Sequence, residues 1–349
     1  MNDLLIIGGG PAGIAAGVYA GRKRVKSVLI AEEIGGQSTV SEGIENWIGT
    51  VHIPGQELAR SLKTHLEAYQ GDVVEIVEGD RVIGLSKGTG GFVATTSGGK
   101  EISAKAVLIA SGAGRRKLAV PGADTFEHKG VTYCASCDGP LFADQDVAVI
   151  GGGNAGLETA AQLLAYAKSV TLIHRRSEFK GDAITVEKIL SNGKLTALTD
   201  TEPVEIHGEK FVTGMTVKNI KTGETTLLPV TGVFVEIGVL PNTDFAKDLV
   251  KLDEVNRIVT NPRNQRVYRS YQTLDSASDS RHGEVSDVDV LTGTAEERTG
   301  THNAEDKVLA GVWSAGDCTD ELYHQNNIAA GDGVKALEDI YQWLARGGA

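Results

Sequence analysis

The chain has 349 residues, including 44 glycines, 8 prolines and three cysteines, which excludes collagen-like chains, Pro-rich disordered chains and disulfide-stapled scaffolds. A hydrophobic fraction of 41% provides for a buried core, and at roughly 150 residues per domain the length predicts about two domains. The formal net charge of −12 lacks the basic density of a nucleic-acid binder, so no nucleic-acid partner is expected.

The N-terminal apolar stretch is short and ends at a glycine loop. It has no basic region before it, so it is not typical of a signal peptide. No apolar run approaches the ~18 residues that a membrane span requires. We therefore expect a cytoplasmic protein with no membrane partner, whose cysteines stay reduced unless the chemistry cycles them.

The first elements form a strand, a glycine loop, a helix and a second strand, at Leu4–Ile7, Gly8–Gly13, Ile14–Arg22 and Ser27–Ile30. The loop is a G-x-G-x-x-G fingerprint built from Gly8, Gly10, Pro11, Ala12 and Gly13. Its glycines allow a tight turn, a close backbone approach to a pyrophosphate and close packing of helix on strand. Glu32 follows the second strand, where an acid accepts the ribose hydroxyls of a dinucleotide such as FAD.

Alternating elements follow this unit. Apolar spacing predicts a helix over Gln56–Tyr69, and apolar runs predict strands over Val73–Val77, Phe92–Thr96 and Ala106–Ala110. The last of these strands leads into Ser111 and Gly112.

A cysteine pair then occurs as Cys134-Ala-Ser-Cys137, followed directly by Asp138. A structural zinc site needs four ligands, and even with His128 this segment is one short, so no metal is expected. The two-residue spacer suits a reversible disulfide. A carboxylate beside a dithiol can move the proton that a leaving thiolate needs.

The strand–loop–helix–strand plan recurs at Val147–Ile150, Gly151–Gly156, Leu157–Ala167 and Ser169–Ile173. The second fingerprint contains Gly151, Gly153, Asn154, Ala155 and Gly156. Where the first copy has an acid, this copy has His174, Arg175 and Arg176. Arginine binds a phosphate with forked, charge-assisted hydrogen bonds, so the second copy favours the 2′-phosphate of NADPH.

Later strands are predicted at Phe211–Val217, Val233–Ile237 and Val308–Ser314, a return crossover at Gly238–Asn242, and a long amphipathic helix at Ile328–Leu344. Between them, residues 263–306 are polar and nearly free of large apolar side chains. A structureless connection of that length is uncommon inside a compact domain. We interpret it as a surface insertion, with a lid or docking arm as the alternative.

These motifs together resemble those of the low-molecular-weight thioredoxin reductases, part of the pyridine-nucleotide disulfide oxidoreductases. Further motifs that carry the resemblance are Gly35–Gln37, Glu45–Trp47, Ile237–Thr243, and Gly316-Asp317 followed by Tyr323–Gln325. The chain is also similar to the C-terminal part of the flavoprotein subunit of alkyl hydroperoxide reductase. The resemblance implies an α/β fold of two Rossmann-like domains, the second inserted into the first. The implied parts are an FAD domain at 1–115 and 244–349, with the polar insertion at about 261–307, and an NADP domain with the dithiol at 116–243.

The resemblance also implies roles for single residues. Cys137 would face the flavin, Cys134 would attack the partner's disulfide, and Asp138 would be the acid-base group. The flavin contacts it implies are Gly36, Gln37, Asn46, Gly112, Gly316, Asp317, His324, Gln325 and Asn326. It further implies a homodimer and a rotation of the NADP domain during turnover.

The sequence departs from the family at three positions. Gly156 replaces a frequent alanine, which leaves the coenzyme preference less sharp. Lys180 replaces a frequent arginine after the His-Arg-Arg cluster. It keeps the positive charge but lacks the forked hydrogen-bond donors of a guanidinium. His324 replaces the usual arginine before Gln325.

The leading prediction is an enzyme that passes electrons from NADPH through FAD to the dithiol and on to a thioredoxin-like protein. The hydroperoxide-reductase flavoprotein has an extra N-terminal redox domain, whereas this chain begins at the flavin strand, so a separate protein partner is expected. Alternatives are a glutaredoxin-like or peroxiredoxin-linked partner, a ferredoxin-fed or oxygen-using thiol enzyme, and a non-enzymatic redox sensor. The basic cluster at Arg175-Arg176 argues against the ferredoxin-fed and oxygen-using forms.

Overall fold

A computed structural model describes residues 1–41, 43–180, 183–270 and 307–348, with the backbone alone at 136–137 and 183–185. The chain divides into two compact units. The first unit is made of Met1–Thr39, Gln56–Ala113 and the chain from Pro241 onward, and the second is made of Val40–Gly55 and Gly114–Leu240. The polar insertion predicted from the sequence falls largely outside the described residues.

The α-helices within the described residues are α1 (Pro11–Arg22), α2 (Gly55–Glu67), α3 (Ala135–Asp138), α4 (Asn154–Leu163), α5 (Ala183–Leu190) and α6 (Asn326–Ala345). Short 3-10 helices occur at Gly36–Val40, Gly139–Phe142 and Asp244–Ala246.

The first six strands along the chain, all in the first unit, are β1 (Asn2–Gly9), β2 (Ser27–Ile34), β3 (Val74–Glu78), β4 (Val82–Gly88), β5 (Gly91–Thr96) and β6 (Glu101–Ile109). The next strands along the chain are β7 (Ala113–Arg115), β8 (Val131–Thr132), β9 (Asp146–Ile150), β10 (Ser169–Ile173), β11 (Leu195–Leu198) and β12 (Thr201–Gly208). The remaining strands are β13 (Val212–Asn219), β14 (Thr225–Leu228), β15 (Gly232–Val235), β16 (Val239–Pro241), β17 (Arg266–Tyr268) and β18 (Val308–Ser314).

The main sheet of the first unit has the order β17-β18-β6-β1-β2-β3, with β5 and β4 attached beside β6. Strands β18, β6, β1, β2 and β3 run parallel to their neighbours. Along β1, Leu4 and Ile6 belong to the core on the face that carries α1 and α6, whereas Leu5 and Ile7 belong to the core on the other face. A strand buried on both faces reads as a continuous apolar run, which explains why the sequence reveals it.

The second unit is built on a parallel sheet in the order β11-β10-β9-β15-β8. It too has a buried core on each face, with Val147 and Val149 on one side and Ala148 and Ile150 on the other. An antiparallel sheet, β12-β13-β14, adds its buried side chains to one of these cores. The connecting strands β7 and β16 pair with each other.

The elements that the apolar runs predicted are present with small shifts of their ends. Ser169–Ile173 and Val308–Ser314 have the predicted bounds, and the predicted helix Ile328–Leu344 begins two residues earlier, at Asn326. Residues 266–268, which fall inside the predicted insertion, instead form an edge strand antiparallel to β18. The apolar and polar residues that alternate at 285–290, a pattern that suits one exposed hairpin strand, lie outside the described residues.

No helix in the described part of the chain is both long and apolar enough to cross a membrane.

Candidate active site

The first unit contains a cavity of about 540 Å³ around the glycine loop that follows β1. The cavity gathers predicted flavin residues from several separate segments of the chain. Those that line it are Gly8, Gly10, Pro11, Ala12, Glu32, Gly36, Gln37, Gly112, Gly316, Asp317 and Asn326. Residues that the sequence motifs mark in separate segments therefore lie together around one cavity, and flavin binding there stays a prediction.

The glycine loop of this cavity has little space for side chains. Gly8 has φ +118°, and a Cβ there would collide with the carbonyl oxygen of Ala110. A Cβ at Gly13 would collide with the carbonyl oxygen of Gly8, so the third glycine serves packing and does not line the cavity. Helix α1 starts after Gly10, which has no side chain to cap it, so the first N–H groups face the cavity and suit a pyrophosphate. These features fit the flavin dinucleotide.

Three other predicted flavin residues are not among the side chains that line this cavity. Asn46 lies in the segment Val40–Gly55, which groups with the second unit. His324 and Gln325 precede α6 and are half-buried.

Sequence reasoning missed part of the cavity wall. The residues it overlooked include Arg81, Val82, Asp244 and Phe245. They come from the start of β4 and from the short 3-10 helix after β16. No motif marks them, because only the sheet topology brings them to the cavity.

The glycine loop of the second unit repeats the same geometry. Gly151 has φ +133°, and a Cβ there would collide with the carbonyl oxygen of Glu236. A Cβ at Gly156 would collide with the carbonyl oxygen of Gly151, just as in the first copy. Helix α4 starts after Gly153, again without a capping side chain. This loop therefore also presents free N–H groups to a phosphate.

The basic cluster lies against this second loop. The His174 ring packs on Gly152 and stacks with the Phe179 ring, with centroids 5.7 Å apart and an interplanar angle of 24°. The backbone N–H of Lys180 donates to the carbonyl oxygen of Gly152 at 2.6 Å. The chain after β10 therefore returns to the glycine loop and places Lys180 next to it.

The cluster is strongly electropositive. Partial burial lowers the pKa of His174, and the nearby Arg176, Arg175 and Lys180 cations lower it further. Arg175, Arg176 and Lys180 are exposed, and no carboxylate among the described side chains forms a salt bridge with them. Three cations available beside a glycine loop suit a phosphate on the coenzyme ribose.

The predicted catalytic pair lies before and within the short helix α3. Cys134 is half-buried and disulfide-bonded, while the side chain of Cys137 lies outside what the structure describes. The Thr132 hydroxyl donates a short hydrogen bond to the Asp138 carboxylate and accepts one from the Cys134 backbone N–H at 3.3 Å. Thr132 is buried and connects two predicted catalytic residues, and no sequence motif marks it.

Thr132 and Asp138 also line a second cavity of about 330 Å³. His52, Glu45 and His128 line the same cavity, all within the second unit. The acid-base group predicted from the sequence therefore lies at the wall of a cavity that holds other titratable groups.

The remaining cysteine is buried and not accessible for thiol–disulfide exchange. Cys318 is a free thiol with no exposed surface, and burial raises its pKa. Among the described residues there is no group of three or more His, Cys, Asp or Glu side chains arranged to hold a metal.

Comparison with known proteins agrees with this geometry. The family model described as pyridine nucleotide-disulphide oxidoreductase matches residues 2–269. The chain belongs to this family. The resemblance drawn from the sequence motifs is thereby confirmed, and so is the fold of two Rossmann-like domains.

Solved structures of family members are similar over nearly the whole chain. The crystal structure of thioredoxin reductase from Streptococcus pyogenes MGAS5005 has a TM-score of 0.81 and 32% identity, with 99% of each chain covered. Thioredoxin reductase from Giardia duodenalis has a TM-score of 0.82 and 29% identity, again with 99% of each chain covered.

Among curated relatives, the alkyl hydroperoxide reductase F subunit of Staphylococcus aureus (strain MRSA252) is 34% identical over 344 residues. The alignment covers 99% of this chain and 59% of the relative. The chain thus spans about three fifths of the length of the curated relatives it matches.

Proposed function

We propose that this family member reduces the disulfide of a thioredoxin-like protein with electrons from NADPH, using FAD and the Cys134/Cys137 pair. The observation that carries the proposal is the hydrogen-bonded arrangement of disulfide-bonded Cys134, Thr132 and Asp138. It lies in the same unit as a glycine loop flanked by cations. A dithiol, an acid-base group and a coenzyme loop are the parts that disulfide reduction by NADPH requires.

In the proposed reaction, NADPH, a proton and the partner's disulfide give NADP+ and the partner's dithiol. Bound flavin supplies the two-electron carrier between the nicotinamide and the Cys134–Cys137 disulfide. The Cys134 thiolate attacks one sulfur of the partner, and the mixed disulfide is resolved by Cys137. Asp138, oriented by Thr132, holds the proton that the leaving thiolate takes up.

The two glycine loops and the residues around them indicate which side chains would bind the cofactors. The first loop, Glu32 and Asp317 would hold FAD, and His174, Arg175 and Arg176 beside the second loop would hold the 2′-phosphate of NADPH. The homodimer, the cytoplasmic location and the flavin roles of Asn46 and Gln325 stay predictions, as do the other single-residue roles.

The test is anaerobic titration of the purified flavoprotein. NADPH should bleach the flavin absorbance, and reoxidation by an added thioredoxin should be lost in Cys137→Ser while the bleaching remains. Flavin that NADPH fails to bleach would sink the proposal, and so would full disulfide reduction by Cys137→Ser.

A second candidate partner is a peroxiredoxin or a protein that serves one. It is favoured by the 34% identity to the F subunit of alkyl hydroperoxide reductase. The reduced wild-type enzyme is mixed in separate experiments with oxidised thioredoxin, a glutaredoxin-like protein or a peroxiredoxin as the sole oxidant. The rates at which the three proteins reoxidise the enzyme distinguish these partners.

A further inference from the structure

A buried carboxyl group lies beside the glycine loop of the second unit. Glu236 directly follows β15, and its backbone N–H donates to the carbonyl oxygen of Ile150 at 2.8 Å. Its own carbonyl oxygen occupies the place that a Cβ on Gly151 would need. Glu236 is therefore fixed next to the first glycine of the loop.

The Glu236 carboxyl is held at two oxygens. The Thr159 hydroxyl of α4 donates to Oε1 at 3.0 Å, and the Arg115 guanidinium lies 3.5 Å from Oε2. The side chain is 9% exposed, and burial raises the pKa of Glu236, opposed by the Arg115 charge. The long contact leaves Oε2 able to accept a further hydrogen bond.

Sheet topology places this carboxyl on one particular side of the loop. From β9 the sheet extends to β10 and β11 in one direction and to β15 and β8 in the other. Ligands of such sheets cross the carboxyl ends of the strands at this reversal point. The cations Arg175 and Arg176 follow β10, whereas Glu236 follows β15 on the opposite side.

In the proposed binding mode, the adenosine 2′-phosphate lies at the cations and the pyrophosphate lies at the start of α4. The nicotinamide half of the dinucleotide then extends toward β15. We infer that the Glu236 carboxylate contacts the nicotinamide half of the coenzyme and favours its oxidised form. This inference rests on the proposed binding of NADPH to this unit. The carboxylate can accept hydrogen bonds from ribose hydroxyls or the carboxamide, and it attracts the positive ring that remains after hydride transfer.

Sequence reasoning passed over Glu236 because it stands inside the apolar run Val233–Ile237. A carboxylate in that position breaks the apolar pattern of a buried strand end, and buried charge is costly unless it is paired or used. The acidic residue within this apolar run is the sequence feature that could have identified Glu236 as a candidate site residue.

The experiment measures equilibrium binding of NADP+, NADPH and adenosine 2′,5′-bisphosphate to the flavin-loaded Glu236→Gln variant. Glutamine keeps the size and can still accept from Thr159, but it removes the charge. The Kd for NADP+ should rise by about tenfold, the effect of one charge-assisted hydrogen bond. The Kd for NADPH should rise less, and binding of the bisphosphate, which lacks the nicotinamide half, should not change.

Glu224→Gln is the matched control, because it removes the same charge from an exposed position in the same unit. It should leave all three affinities unchanged. Unchanged NADP+ binding in Glu236→Gln would overturn the inference, and so would equal weakening of all three ligands, which would mark a structural ion pair with Arg115. A wild-type protein that binds no NADPH would overturn the proposed function as well.

Discussion

At the scale of single residues, the Thr132 hydroxyl connects Cys134 to Asp138 because a hydroxyl can both donate and accept a hydrogen bond. It donates to the Asp138 carboxylate while it accepts from the Cys134 N–H. Thr132→Val removes both interactions and keeps the shape of the side chain. Because a hydrogen bond to a charged group contributes about 1.5–3 kcal/mol, we expect disulfide reduction to slow by about tenfold or more. Stopped-flow reoxidation by thioredoxin measures this rate.

The control for that variant separates orientation from packing. Thr132→Ser retains the hydroxyl and should restore most of the rate. Thr201→Val alters another buried threonine of the same unit and should leave the rate unchanged. Flavin reduction by NADPH should be normal in all three variants. A Thr132→Val enzyme with a wild-type reoxidation rate would show that Asp138 needs no orientation.

The cations after β10 make a prediction about coenzyme choice. Arg175→Ala together with Arg176→Ala removes two forked donors from the cluster beside the glycine loop, and only NADPH carries the 2′-phosphate that they suit. At about 1.5–3 kcal/mol for each charge-assisted hydrogen bond, kcat/KM for NADPH should fall by about a hundredfold or more. The value for NADH should stay nearly constant.

Parallel steady-state assays with both coenzymes measure that difference. Lys210→Ala is the control, since it removes an exposed cation elsewhere in the same unit. An equal loss with NADPH and NADH would mean that the arginines bind a feature common to both coenzymes.

The residues that could be predicted share one property: each belongs to a local motif. Glu32 and Arg175 occupy fixed places after a strand that follows a glycine fingerprint, so spacing alone marks them as candidate site residues. Thr132 and Arg81 have no such neighbours. The Thr132 hydroxyl donates to a residue six positions later, and Arg81 lines the cavity of the first unit from just before β4. Only folding defines those contacts.

At the scale of elements, the first βαβ unit depends on bare backbone at Gly8. Its φ of +118° is unfavourable for any other residue, and a Cβ would collide with the carbonyl oxygen of Ala110, just after β6. Gly8→Ala must therefore displace β1 from the segment that follows β6. We expect a loss of stability of about 1–3 kcal/mol and weakened flavin binding.

Flavin content after purification and thermal unfolding followed by flavin fluorescence measure these two effects. Gly331→Ala is the matched control, because that glycine lies in α6 with open space around its Cβ position. It should stabilise the protein slightly, by up to about 1 kcal/mol, since alanine favours the helix. A Gly8→Ala protein with full flavin content and unchanged unfolding would contradict the steric argument.

Elements differ in how far the sequence predicts them, and burial explains the difference. Strands β1 and β9 are covered on both faces, so their apolar runs are unbroken. Strands β12 and β14 have mostly exposed or half-exposed side chains, and their polar residues do not stand out from loops. They form because β13, the neighbour of both along the chain, pairs with each as an antiparallel hairpin.

At the scale of the whole molecule, the edge strand β17 and the strand β18 frame the point where the polar segment leaves and re-enters the described chain. The Arg269 N–H donates to the carbonyl oxygen of Lys307 at 3.0 Å, so the two ends are adjacent. Residues 271–306 therefore connect neighbouring points of one sheet edge. A short glycine-rich link can close that gap without moving β17 or β18.

Replacing residues 271–306 with such a link should leave the proposed electron transfer intact, because the cavity of the first unit and the Cys134–Asp138 segment draw their described residues from other parts of the chain. We expect unchanged flavin content, unchanged bleaching by NADPH and an unchanged rate with the protein partner. A larger deletion from Arg263 would instead remove β17 and is the destabilised comparison. If the short link raised the KM for the partner while flavin reduction stayed normal, the polar segment would be a docking arm and the surface-insertion interpretation would be wrong.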